Sequence, residues 1–417
     1  MAVVTEPPSP PATEGRRLLV AVLGATFFVR FAFGLTVAVF ASYIAGASSG
    51  IDTGIVGTVG LVSAMAPIGE FSTVLFSGTA ADRYGRVPVL VAGMAGAAGL
   101  FALVSLTRDP VTLALLNLLF GVTSGAILAA SLAVVAGEAF APETGFEMGR
   151  FDAMNLLGWI GGFAVGFGFL GTLPNDGLAW VFRGGALLLL AGVLIALRAG
   201  RRRLEPRLNP RANLGQIRRA ITDRAVLLVT VPWFVIYLLL GTVFVFLGSA
   251  ATGAGLPTVE IAALIGGGGA ILLATQPYFG RLADRFGRMR LMTVGTIGFV
   301  GVLACAVLLQ SYGPRPELLG ALGVSALAAL AYGPAALAAL AELAQSYSRA
   351  TTMAVYTLTI SLGMIVGLAL STTLYARFGA VGLDAFFGSI AVALVGLTVA
   401  RAATLGARPP PVTTPAR

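Results

Sequence analysis

Two charged residues, Arg30 and Glu70, sit inside long apolar stretches. A charge in such surroundings costs several kcal/mol unless it is paired or faces water. Counted at 1.5 Å per residue, Arg30 lies twelve residues after Leu18, about 18 Å, and Glu70 eight before Gly78, about 12 Å. The reach of an arginine side chain closes the difference, so the expectation is an ion pair between two consecutive antiparallel helices. Three chemistries are open to it. It is a static lock, or a switch in which protonation of Glu70 frees Arg30, or a site where Arg30 meets an anionic substrate. Histidine is absent, and all 27 basic residues are arginine. Without histidine there is no Ser-His or His-metal constellation, and the buried acids are too few and scattered for a metal site. The sequence therefore predicts no enzyme, no metal and no cofactor. It also lacks a GxxxxGK[ST] loop, which argues against ATP-driven work.

A second chemistry is written twice. GTAADRYGR runs from Gly78 to Arg86 and GRLADRFGR from Gly280 to Arg288, with the aspartates 284 − 82 = 202 residues apart. Glu138 and Glu342 lie 342 − 138 = 204 apart, so the repeat extends beyond the loop. Glycines here permit a tight turn and close helix approach. An aspartate at a helix end accepts hydrogen bonds from the first amides of a neighbouring helix. The arginines beside it can pair with acids of adjacent loops, and Glu138, Glu143 and Glu147 are the candidates in the first half. A purely topogenic role would account for the arginines but leave Asp82 and Asp284 without a purpose.

Both strings resemble the loop that marks the major facilitator superfamily, at Gly78, Asp82, Arg83, Gly85 and Arg86 and again at Gly280, Asp284, Arg285, Gly287 and Arg288. The resemblance covers essentially the whole chain between its tails. It implies an all-α membrane protein of 12 transmembrane helices in two six-helix bundles. It also implies that the loops latch the outward-open state and release when the halves rock. Within the superfamily the chain resembles the drug/proton antiporter-like exporters, with two departures. Their arginine in the fourth helix is Asn117 here, four residues ahead of Gly121. In the fifth helix Gly158, Gly162 and Gly166 keep a four-residue spacing, but Phe163 and Phe167 replace the proline and the last glycine. The glycine ladder still suits close packing.

These residues must be positioned by membrane spans. Of 417 residues, 57% are hydrophobic and 11% charged, with a mean hydropathy of +0.92, whereas soluble domains carry charge on about a quarter of their residues. Twelve runs are long enough to cross a bilayer core of about 30 Å: 18–45, 54–77, 88–107, 111–137, 153–172, 178–197, 225–250, 259–280, 291–312, 318–343, 352–375 and 381–403. With the N-terminus inside, 22 arginines fall on inner segments, three (Arg108, Arg315 and Arg377) on outer loops, and two (Arg30 and Arg183) inside spans. That asymmetry predicts that both termini are cytoplasmic, and the expected location is the plasma (inner) membrane. It also accounts for the net charge of +9 without a nucleic-acid partner. Arg183 is close enough to the outer end of its span to reach the interface, and Cys305 reads as a small apolar filler.

Five regions follow: a Pro-rich tail at 1–16, a six-span bundle at 17–197, a basic linker at 198–224, a second bundle at 225–404 and a second tail at 405–417. Both tails are expected to be disordered. In the linker, Asn209 and Pro210 either begin a short amphipathic helix presenting Leu214, Ile217 and Ile221 to the membrane surface, or the segment is simply solvated.

Polar and aromatic side chains near mid-span are cavity candidates: Tyr43, Asn117, Asn155, Trp233, Tyr237, Gln276, Tyr332 and Tyr356. Tyr332 precedes Gly333 and Pro334, a candidate hinge in the tenth span. So little charge and so few amides argue against nucleotides, sugar phosphates and large hydrophilic sugars. The expected function is a monomeric secondary transporter in the lipid bilayer that works by alternating access and exports a hydrophobic or amphiphilic small molecule in exchange for protons. The alternative is proton-coupled uptake of a small organic anion with Arg30 as its partner. A transport-dead receptor or scaffold is more remote, because both loop aspartates are intact.

Overall fold

A backbone held in lipid must satisfy its own hydrogen bonds, and long apolar runs do so as helices. The computed structural model describes residues 12–45, 53–138, 144–200, 218–219, 221–253, 258–313, 315–344 and 349–406, and no strand occurs among them. The first half supplies α1 (Ala12–Ala45), α2 (Thr53–Tyr84), α3 (Arg86–Val104), α4 (Pro110–Glu138), α5 (Thr144–Thr172) and α6 (Leu178–Gly200). The second supplies α7 (Arg224–Gly253), the short α8 (Thr258–Ala263) and α9 (Gly269–Leu273), then α10 (Gln276–Phe286), α11 (Arg288–Tyr312), α12 (Pro316–Ala329), α13 (Tyr332–Leu343) and α14 (Arg349–Gly406). Both tails, Glu143 and the cap pair Asn209 and Pro210 lie outside the described residues.

Eleven described stretches are long and apolar enough to cross a membrane, where the sequence predicts twelve. The difference is the eighth run. Gly266 to Gly269 interrupt it with a π-helical turn at Leu264–Gly268, and a further break precedes Gln276 and Pro277. Four successive glycines forfeit about 1 kcal/mol each of helix propensity, so this run is divided among α8, α9 and α10. The tenth run is broken between Ala329 and Tyr332, just ahead of Gly333 and Pro334. The last two runs form the single element α14, turned at Gly379 with φ 60° and ψ −144°.

The fifth span is corrected at its start. The sequence places it from residue 153, but α5 begins at Thr144 and its apolar window covers Thr144–Leu170. Asp152 is thus inside the helix and fully buried. A second correction concerns Arg401, counted on the inner surface but buried within α14, where it donates to Thr293 Oγ1 at 3.3 Å.

Helix starts follow local chemistry. Asp109 precedes Pro110 and accepts both the hydroxyl and the amide of Thr112, at 2.6 and 2.8 Å, an N-cap with proline in the first turn. Those bonds, the hydroxyl's first, hold its carboxyl below the usual aspartate range. Asp223 takes the amides of Ala225 and Val226 in the same way at the start of α7. Facing outward, Leu115 and Leu119 on α4 and Val392, Val395 and Val399 on α14 are 50–73% exposed. An apolar stripe of that kind suits lipid contact.

Candidate functional site

Helices α1 and α5 come close enough to touch through glycine. A Cβ at Gly158 would lie 2.6 Å from the Phe27 carbonyl oxygen and 2.8 Å from the Arg30 Cβ. That approach sets Arg30 against α5, where its Nε donates to Asn155 Oδ1 at 2.9 Å. Its Nη1 and Nη2 donate to Glu70 Oε2 and Oε1, both at 3.3 Å, a two-point pair between α1 and α2. Ser124 on α4 donates to Oε2 at 2.9 Å and Ser361 on α14 to Oε1 at 3.0 Å. The rings of Trp159 and Phe33 stand 5.5 and 5.8 Å from the guanidinium carbon. Arg30 and Glu70 are buried almost completely. Each carboxylate oxygen accepts two hydrogen bonds, the condition under which a buried ion pair is tolerated. Ser361 is the member of this network contributed by the second half of the chain.

Aspartates of both repeated loops reach across to the opposite half. Asp284, near the end of α10, accepts the amides of Gly145 and Phe146 at the start of α5, at 3.0 and 3.2 Å. Asp82, near the end of α2, accepts the amide of Ala350 at the start of α14, at 3.2 Å. Each is a helix cap supplied from a separate segment, placing a carboxylate where the amides and the helix dipole favour negative charge. Gly85 and Gly287 turn the chain between the paired helices with φ 102° and 96°, a conformation costly for any residue with a Cβ.

The arginines divide the work. Arg83 and Arg285 are exposed, lying over the rings of Tyr84 and Phe286 at 5.5 and 5.3 Å. Arg86 donates to the Ala133 carbonyl on α4 at 2.8 Å, and Arg288 to the Ala338 carbonyl on α13 at 3.0 Å. Arg288 also pairs with Glu342 and lies 3.7 Å from Asp284. Glu147 pairs within its own helix with Arg150 at 3.0 Å, and the Glu138 side chain lies outside the described residues.

Four cavity candidates meet in one aromatic group on α7, α13 and α14. The Trp233 ring lies 5.4 Å from Tyr237, 5.2 Å from Tyr332 and 5.3 Å from Tyr356, the last two edge-on. Tyr332 donates to the Val229 carbonyl at 3.2 Å. Two other candidates serve packing instead. Asn117 donates to the Val62 carbonyl at 2.6 Å and ties α4 to α2. Tyr43 donates to the Val104 carbonyl at 3.0 Å and packs on Phe182. Arg183 lies over the exposed Trp180 ring at 4.4 Å, toward the face opposite the repeated loops.

Asp152 escapes a reading by sequence, because a start at residue 153 leaves it among loop acids. Its Oδ2 accepts the Gln276 amide nitrogen at 3.3 Å, the amide orientation being fixed by a second bond to the Leu330 carbonyl at 3.2 Å. A Cβ at Gly333 would overlap Oδ2. An acid placed one residue before a predicted apolar run, with boundary error of two to four residues, was the available signal.

The Major Facilitator Superfamily model matches residues 22–312 and 255–417. No curated protein sequence matches. Among solved structures, the human organic anion transporter MFSD10 (TETRAN) superposes with a TM-score of 0.74 at 17% identity, over 94% of this chain and 100% of that one. The proton:xylose symporter XylE, bound to 6-bromo-6-deoxy-D-glucose, does so with a TM-score of 0.74 at 14% identity, over 94% of this chain and 96% of that one. At such identities the likeness is one of fold, and with the family match over nearly the whole length it leads to one conclusion: the chain belongs to the Major Facilitator Superfamily.

Proposed function

We propose that this chain is a secondary active transporter of the plasma membrane that exports a hydrophobic or amphiphilic small molecule in exchange for protons. In this reading it has 12 spanning helices in two bundles, 17–197 and 225–404, with both termini cytoplasmic. The observation that carries it is the reciprocal pair of aspartate caps, each linking one half to a helix start in the other on the same arginine-rich face. Contacts of that kind close one face and must break for the halves to rock. The Arg30–Glu70 pair clamps α1, α2, α4 and α5 together and touches the second half through Ser361. The aromatic group on α7, α13 and α14 suits a substrate with an apolar body.

Uptake of an organic anion is the second reading, and the fold shared with an organic anion transporter speaks for it. Against it, every head-group nitrogen of Arg30 already donates to Glu70 or Asn155. The test uses purified protein in liposomes with an imposed pH gradient and a permanently charged lipophilic dye, which pH alone does not redistribute. Export by exchange predicts accumulation in the acidic compartment, strongly reduced in an Asp82→Ala/Asp284→Ala double variant. Accumulation in the alkaline compartment would indicate symport. A dye flux that ignores both the gradient and the double substitution would sink the proposal.

A further inference from the structure

Asp152 is fully buried, and its burial is made by the other half of the molecule. The carboxyl projects from α5. Against it stand Gln276 of α10, which donates to Oδ2, and Gly333 of α13, whose missing side chain leaves the space that Oδ2 occupies. The Trp233 ring on α7 borders the same space: a Cβ at Gly333 would lie 3.5 Å from its Cη2. The Tyr356 hydroxyl on α14 lies beside the carboxyl and beside Tyr237, outside hydrogen-bonding geometry with either. Yet Asp152 Oδ1 and the Tyr356 hydroxyl each lack a hydrogen-bond partner among the described residues.

The charged groups on the elements around it are engaged elsewhere. On α1 and α2, Arg30 is consumed by Glu70. On α5 itself, Arg150 pairs with Glu147. Toward the arginine-rich face, Asp284 of α10 caps α5, Arg281 of α10 lies over the Phe146 ring, and Glu342 of α13 pairs with Arg288. The remaining titratable neighbours are the phenols Tyr237, Tyr332 and Tyr356, and Tyr332 in turn meets the buried Arg401 of α14, which also donates to Thr293. No arginine forms a salt bridge with Asp152 among the described residues. A buried carboxylate with no counter-charge and one bare oxygen is strongly disfavoured, whereas the neutral acid is tolerated and gains a donor.

We infer that Asp152 is a proton-binding site of this transporter, occupied while α5 packs against α10 and α13 and emptied when they part. It rests on the alternating-access reading above and names the residue that carries the proton. Asp152 lies seven residues along α5 from the capped Gly145, about 10 Å. Opening the arginine-rich face therefore wets Asp152 soon after the Asp284 cap is lost, and the proton leaves to that side. Glu70, whose two oxygens are saturated by Arg30, Ser124 and Ser361, is the clamp between helices rather than the proton site.

Infrared spectroscopy of the purified full chain tests this without a substrate. A protonated carboxyl has a C=O band distinct from the carboxylate bands. The band is expected at neutral pH in the wild type, lost in Asp152→Asn and kept in Glu70→Gln. Should Asp152→Asn fail to fold, labelling the wild type with carboxyl-13C aspartate is expected to shift the band, and the corresponding glutamate label to leave it in place. A band that moves with the glutamate label or disappears in Glu70→Gln overturns the assignment, as does the absence of any protonated carboxyl at neutral pH. The liposome assay separates the two claims. Proton-driven dye exchange with the band on Glu70 keeps the exporter and removes this site. An Asp152 band without dye exchange keeps the site and removes the exporter.

Discussion

Replacing Asp284 with alanine removes the acceptor of two amides at the start of α5. A side-chain cap contributes about 1 kcal/mol, and a carboxylate at a helix N-terminus adds about 0.3–1 kcal/mol. Both terms exist only while the two halves meet on this face, so their loss acts on the closed arrangement alone. A change of about 1–2 kcal/mol alters an equilibrium roughly 5- to 30-fold. Tyr84 and Phe286 end α2 and α10 on opposite halves and are 46% and 49% exposed, so they can carry spin labels once converted to cysteine. Cys305 is the only cysteine of the chain, and Cys305→Ser supplies a clean background. Pulsed EPR is expected to show the long-distance population rising by that factor in Asp284→Ala and in the same direction in Asp82→Ala. The two caps join different helix pairs, so the double variant is expected to combine both effects. Asp284→Asn keeps one acceptor oxygen and should fall between. A folded double variant with the distance distribution of the wild type would refute the latch.

Three further outcomes follow from the geometry. Glu70→Ala strands a buried arginine and is expected to cost about 3–5 kcal/mol of stability, read as a lower thermal unfolding temperature, while Arg30→Met/Glu70→Leu recovers most of it. Gly333→Ala drives a Cβ into Asp152 Oδ2 and is expected to cost about 1–3 kcal/mol; adding Asp152→Ala should return much of that in the same melt. Gly85→Ala and Gly287→Ala force a side chain onto φ values of 102° and 96°, and each is expected to cost about 1–3 kcal/mol. An unchanged unfolding temperature in either would show that the turn relaxes.

Much of the architecture is legible in the sequence, because the cost of an unsatisfied backbone in lipid makes every long apolar run a helix. The eighth run was the exception, since hydropathy is blind to what four successive glycines do to helix continuity. Arg30 and Glu70 were visible as charges in apolar surroundings, and their expected depths were close enough to suggest contact. The extra partners Ser124, Asn155 and Ser361 were not visible, because serine and asparagine in a span carry no signal until a carboxylate or guanidinium is beside them. Asn117 and Tyr43 looked like cavity residues for the same reason, and the fold uses them to tie helices together.

Composition and spacing along one chain are enough for the helical membrane class, most of the spans, the duplicated Asp-Arg loops and the inventory of charges in apolar runs. The packing alone sets which helix start each aspartate caps, that both caps cross between halves, and that Asp152 meets no counter-charge among the described residues. Those facts depend on contacts between segments more than 100 residues apart. A carboxyl is a cap, a clamp or a proton site according to whether it meets amides, a guanidinium or neither, and that is a property of the packing.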